Sequence, residues 1–146
     1  MRINPTKCNY MVFSRSKENV ATRLAVNDKI LERKNMTKIL GVWIDEDLNW
    51  SRNVKEICVK SFSRMSMITK LKYVGVKIED LLDIYVKYIR SLTEYCSVAF
   101  HSSLTVEQSN KIERIQKTSL KVILGEMYVD YPSALEMTGL DLLSAR

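Results

Sequence analysis

The chain has 146 residues, 46% hydrophobic and 27% charged, enough for one domain with an ordinary core and too regular in composition for a linker or low-complexity protein. Its formal net charge of +6 is uneven: residues 50–124 carry 13 basic and 7 acidic side chains, whereas residues 125–146 carry 1 and 4. Three scattered cysteines without a CxxC pair and a single histidine argue against zinc, and no apolar run is long enough for a leader or a membrane span.

Asn4-Pro5-Thr6-Lys7 reads as a turn, and Tyr10-Met11-Val12-Phe13-Ser14 as a strand. Residues 15–22 are polar and predict a loop. Leu24-Ala25-Val26 and Lys29-Ile30-Leu31 flank Asn27-Asp28, the pattern of a β-hairpin around a two-residue turn. Residues 38–44, Lys-Ile-Leu-Gly-Val-Trp-Ile, predict a further strand. The first 45 residues thus form a small antiparallel β unit.

After Asp45 the hydrophobic period lengthens from 2 to about 3.6. Val54, Ile57, Cys58, Ser61, Met65 and Ile68 fall on one helical face, with Arg52, Lys55 and Lys70 opposite and Lys60 and Arg64 at the flanks. Asn49 or Ser51 caps the start and Gly75 ends the run. A second helix is predicted over 78–92, with Leu81, Tyr85, Tyr88, Ile89 and Leu92 inward. Thr105-Val106-Glu107-Gln108 is a capping box that opens a third, whose inner face is Ile112, Ile115, Ser119, Val122 and Ile123 and whose stop is Gly125. Pro132 to Thr138 is a short helix stopped by Gly139, and the residues after Asp141 read as a truncated element. Strands first and helices second give an α+β class. The expected division is 1–47, 48–125 and 126–146.

No nucleophile triad or glycine-rich phosphate loop is present. Asp45-Glu46-Asp47 fits either a Mg²⁺ site or an acidic loop before a helix, and the loop weighs more. Trp43 and Trp50 fit base stacking or, with more weight, core. Cys8, Cys58 and Cys96 read as small buried or half-buried fillers. Lys111, Arg114, Lys117 and Lys121 recur at helical spacing as one positive ridge, either a solvated face or a row of phosphate contacts.

Three stretches together resemble the C-terminal part of the reverse transcriptases of non-LTR retrotransposons, the jockey-like and related LINE-type elements. They are Ile3-Asn4-Pro5-Thr6-Lys7-Cys8 with Met11-Val12-Phe13-Ser14; Lys38 to Asp45 with Leu48-Asn49-Trp50; and Tyr88-Ile89-Arg90, Glu94 to Ser97, Leu104-Thr105, Ile112 to Lys117 and Ile123-Leu124-Gly125. Asn53 departs from the histidine many relatives place there, Ser91 and Val98 from a frequent proline, and Phe100 from a tryptophan. The resemblance implies the end of a palm with its primer-grip strand, followed by a helical thumb. It implies a non-catalytic fragment of an RNA-directed DNA polymerase, since the metal-binding aspartates lie on strands upstream of this region. Mg²⁺ belongs to the full-length parent only, and no cofactor is expected on this piece. The implied partners are an RNA–DNA or DNA primer–template duplex and the remaining palm and fingers, with no membrane, at an intracellular site, nuclear or cytoplasmic. The implied nucleic-acid contacts are Leu40, Gly41 and Val42 at the strand turn, and Arg52, Asn53 and Lys55 on the first thumb helix. The ridge Lys111, Arg114, Lys117 and Lys121 joins them. The competing expectation is a helical protein-interaction module with no nucleic-acid role.

Overall fold

The computed structural model describes residues 4–14 and 23–145; the loop expected over 15–22, Ile3 and Arg146 lie outside them. The class is α+β, with a small strand unit preceding the helices. The chain divides into two compact units, 1–52 and 53–146, and residues 126–145 belong to the second rather than forming a third.

Among its described residues the first unit contains three two-stranded ladders. β2 (Ala25–Val26) and β3 (Lys29–Ile30) form the expected hairpin, its turn made by Asn27 and Asp28 at φ 49 and 60. Two positive φ values suit a type I′ turn, and Asn and Asp tolerate them best after glycine. The strand expected over Tyr10–Ser14 shrinks to β1 (Asn9–Tyr10), which pairs in parallel with β4 (Glu32–Arg33). The unit is therefore not wholly antiparallel. The single strand expected over 38–44 is instead a second hairpin, β5 (Met36–Ile39) and β6 (Val42–Asp45). It folds at Leu40 and Gly41, both at positive φ (48 and 90).

In the second unit the helices follow the apolar pattern. α1 (Ser51–Tyr73), which begins at the end of the first unit, starts where the Asn49 Oδ1 accepts the Ser51 N–H at 3.1 Å. It stops at Gly75, where Val76 N–H reaches the Leu71 carbonyl and Gly75 N–H the Lys72 carbonyl. This is a Schellman stop, which needs the positive φ of 85 that glycine takes freely. Ser61, Met65 and Ile68 are buried, as the period predicts. α5 (Val106–Leu124) carries the capping box, with Thr105 accepting the Gln108 N–H and Gln108 returning to the Thr105 N–H.

The second helix is where the period fails. It runs as α2 (Ile78–Ile84), a π-helical turn Tyr85–Arg90, and α3 (Ser91–Glu94). A π turn takes one residue more than an α turn, so every later side chain rotates by nearly 100°. Ile89 stays inside, Arg90 and Thr93 consequently join it, and Tyr88, expected inside, is 45% exposed and Leu92 only partly buried. Short helices α4 (Ser97–Phe100) and α6 (Tyr131–Thr138) complete the unit. Cys96, at φ 55 between α3 and α4, is exposed, not the filler expected.

The core of this unit joins Met65 and Ile68 of α1, Leu81, Tyr85 and Ile89 of the second helix, and Ile115 and Ile123 of α5. A smaller cluster packs α6 through Ala134 and Leu135 onto Leu120 and Leu124.

Candidate nucleic-acid interface

The predicted contact residues lie in both units: Leu40, Gly41, Val42 and Arg52 in the first, and Asn53 and Lys55 on α1 and the Lys111–Lys121 ridge on α5 in the second. In the first unit the β5–β6 turn presents Leu40 at its tip, 84% exposed. Gly41 follows it, and Val42 turns inward at 7% exposed, so only its backbone is available at the tip. The register sets Lys38 directly opposite Trp43. The Lys38 ammonium lies 5.4 Å from the centre of the Trp43 ring and the Arg52 guanidinium 5.2 Å from it. Trp43 therefore holds two exposed cations by cation–π attraction at the base of the hairpin. Lys38 was not among the predicted contacts; recognising Leu40-Gly41 as a two-residue turn would have placed it opposite Trp43 by counting alone.

The acidic cluster beside this hairpin builds the turn into α1. Asp45 Oδ1 accepts the Asn49 N–H at 2.6 Å, and Glu46 pairs with Arg33 at 3.3 Å. Among the described residues no group of three or more His, Cys, Asp or Glu is disposed to hold a metal ion.

In the second unit Lys55 is exposed on α1, but Asn53 is 4% exposed. Asn53 sits one helical turn before Ile57 and beside Val54, on the inward arc, and so leaves the set of surface contacts. Arg64, expected at the flank of the basic stripe, donates from Nη1 to the Tyr88 carbonyl at 2.5 Å and lies 4.2 Å over the Tyr88 ring. Lys72 is turned inward: its ammonium donates to the carbonyls of Val122 and Ile123 at 2.6 and 3.0 Å. A cation there satisfies the last turn of α5 and complements its dipole. Gly125 stands at φ 59, a backbone conformation that side chains strain to adopt, whereas a Cβ there would displace only the flexible end of Lys72.

The α5 ridge is present as expected: Lys111, Arg114, Lys117 and Lys121 are all exposed. Lys111 is neutralised by Glu107 at 2.7 Å, and that bond holds the Glu107 carboxyl below its ordinary range. Arg114, Lys117 and Lys121 have no ion pair among the described residues. From Lys111 to Lys121 the ridge runs about 15 Å along the axis, comparable with four base steps of a duplex.

The inward side of α5 is fixed by a polar network. Gln116, fully buried, accepts from the Tyr85 hydroxyl at 3.0 Å and donates to Tyr131 Oη at 3.1 Å and the Asp141 carbonyl at 2.9 Å. The Tyr131 hydroxyl donates to Glu113, which also receives the N–H groups of Leu143 and Ser144. Burial pushes the Tyr85 phenol well above its ordinary value, and burial with the Glu113 bond does the same for Tyr131.

No protein-family model matches this chain, and no curated protein or solved structure was found to be similar to it. No described helix is long and apolar enough to cross a membrane.

Proposed function

We propose that this chain grips nucleic-acid backbone without reading bases, as the palm end and thumb of a non-LTR retrotransposon type of reverse transcriptase. The observation that carries the reading is the Arg114–Lys117–Lys121 row: three exposed cations with no acidic partner among the described residues, on a helix whose other face is anchored in the core. Charges held by a packed helix meet phosphates without the entropy cost of ordering a loop. The β5–β6 tip adds a second element suited to a sugar–phosphate backbone, an apolar Leu40 beside Gly41, with Lys38 and Arg52 behind it. The chain is assigned no catalytic step.

The test is fluorescence anisotropy of a labelled RNA–DNA primer–template over a salt series. Binding is expected to weaken with a log–log slope of about three or more, one per phosphate neutralised. Arg114→Glu with Lys117→Glu is expected to cut affinity at least tenfold at low salt and reduce the slope by about two. An unchanged slope in a folded double variant refutes the reading.

A helical protein-interaction module is the second reading. Its support is Val59 and Phe62, both exposed on the solvent side of α1. It predicts concentration-dependent self-association in sedimentation and a shallow salt dependence.

A further inference from the structure

The helix from Ile78 to Glu94 contains two usable registers. With an unbroken α period, Tyr85, Tyr88, Ile89 and Leu92 make one apolar face, and Arg90 points to solvent beside Lys87. The π turn selects another arrangement, in which Arg90 is 2% exposed and Thr93 is buried. By burial alone this is the poorer choice, because a guanidinium and a hydroxyl replace an aromatic ring and a leucine. Arg90 Nε pairs with Glu94 at 2.7 Å, but Nη1 and Nη2 are buried without a partner among the described residues. Desolvating a guanidinium with most of its donors unused is costly.

Something must hold the costlier register, and the contacts show what does. The Ser91 N–H reaches back to the Val86 carbonyl, five residues away, and its hydroxyl donates to the Lys87 carbonyl at 2.8 Å. The Tyr88 carbonyl is taken by Arg64 of α1, whose guanidinium also covers the Tyr88 ring. Arg64 thus binds both the backbone and the ring of the residue that the other register would turn inward. Downstream, the helix ends at Glu94, and Cys96 follows at φ 55 in an exposed turn that separates it from α4.

We propose that Ile78–Glu94 is a two-register device locked by Arg64. An anion that captures the Arg64 guanidinium frees Tyr88, the π turn relaxes to α, Tyr88 and Leu92 turn inward, and Arg90 emerges. The device does not depend on the nucleic-acid reading, because any phosphate-bearing polyanion of sufficient charge competes for Arg64.

The experiment is fluorine NMR of protein carrying 3-fluorotyrosine, with the Tyr88 signal assigned through Tyr88→Phe. In the wild type that signal should show the solvent-isotope shift of an exposed ring. Arg64→Ala is expected to abolish that shift, and tripolyphosphate added to the wild type is expected to do the same. Arg90→Leu in the Arg64→Ala background should restore the exposed signal, since leucine favours the register that buries position 90. Circular dichroism checks that Arg64→Ala is folded; if it is not, Arg64→Lys, which loses the planar fork, takes its place and should weaken the shift. A Tyr88 signal that stays exposed in the folded variant, or that ignores tripolyphosphate, overturns the proposal.

Discussion

Leu40 combines two features that rarely coincide: a left-handed backbone, at φ 48, and a large apolar side chain left in solvent. The backbone conformation costs a non-glycine residue roughly 1–2 kcal/mol, less for asparagine. Leu40→Asn is therefore expected to raise stability by about 1 kcal/mol in urea unfolding. If the tip meets nucleic acid, the same variant should lower duplex affinity severalfold, so stability and binding move in opposite directions. A melt unchanged by the substitution would show that the turn stores no strain. Tyr85 makes a pH prediction. Its phenol is raised above the ordinary value of about 10, so folded and unfolded chains are both protonated below that pH and the contribution of Tyr85 is complete there. As pH rises beyond it, the unfolded chain releases the proton while the folded one keeps it, and stability falls. Urea melts from pH 9 to 11.5 should show this decline, and Tyr85→Phe should make it shallower whatever its constant offset from losing the Gln116 bond. At this scale the sequence disclosed exposed cations well and buried polar groups poorly. Nothing in Gln116 or Lys72 as letters distinguishes a core hydrogen-bonder or a helix cap from a surface residue, because the distinction rests on partners 31 and 50 positions away.

At the level of the element, local chemistry was legible and non-local pairing was not. The Thr105–Gln108 box lies within one turn, so its meaning is contained in four residues, and α5 begins where it says. Thr105→Ala should cost about 1 kcal/mol in unfolding free energy, and Gln108→Ala should add little on top, because the two bonds are reciprocal. Full additivity of the two losses would show that the box does not act as a unit. The hairpin at Asn27-Asp28 was equally plain. The β5–β6 hairpin was not, since Leu at a positive φ is an improbable turn residue and hid the fold within an apolar run. The parallel β1–β4 pair joins residues more than twenty positions apart and leaves no local mark. The π turn escaped because a period of 3.6 was assumed throughout, and Tyr88 and Leu92 satisfied it.

For the whole molecule, the predicted division at 47 gave way to one at 52, and the expected third segment proved part of the helical unit, since Ala134 and Leu135 close over Leu120 and Leu124. The net charge of +6 is likewise a poor guide until the lysines are sorted by what they touch. Lys72 is tied to two main-chain carbonyls, whereas Lys117 and Lys121 stand in solvent with no ion pair among the described residues. Acetic anhydride should therefore consume the amines in a definite sequence, with Lys117 and Lys121 among the first and Lys72 last, as peptide mass mapping would record. Early in such a reaction the surface would lose its positive character while the fold stayed intact. Only when acylation reached Lys72, removing the cation at the end of α5, should the helices begin to melt.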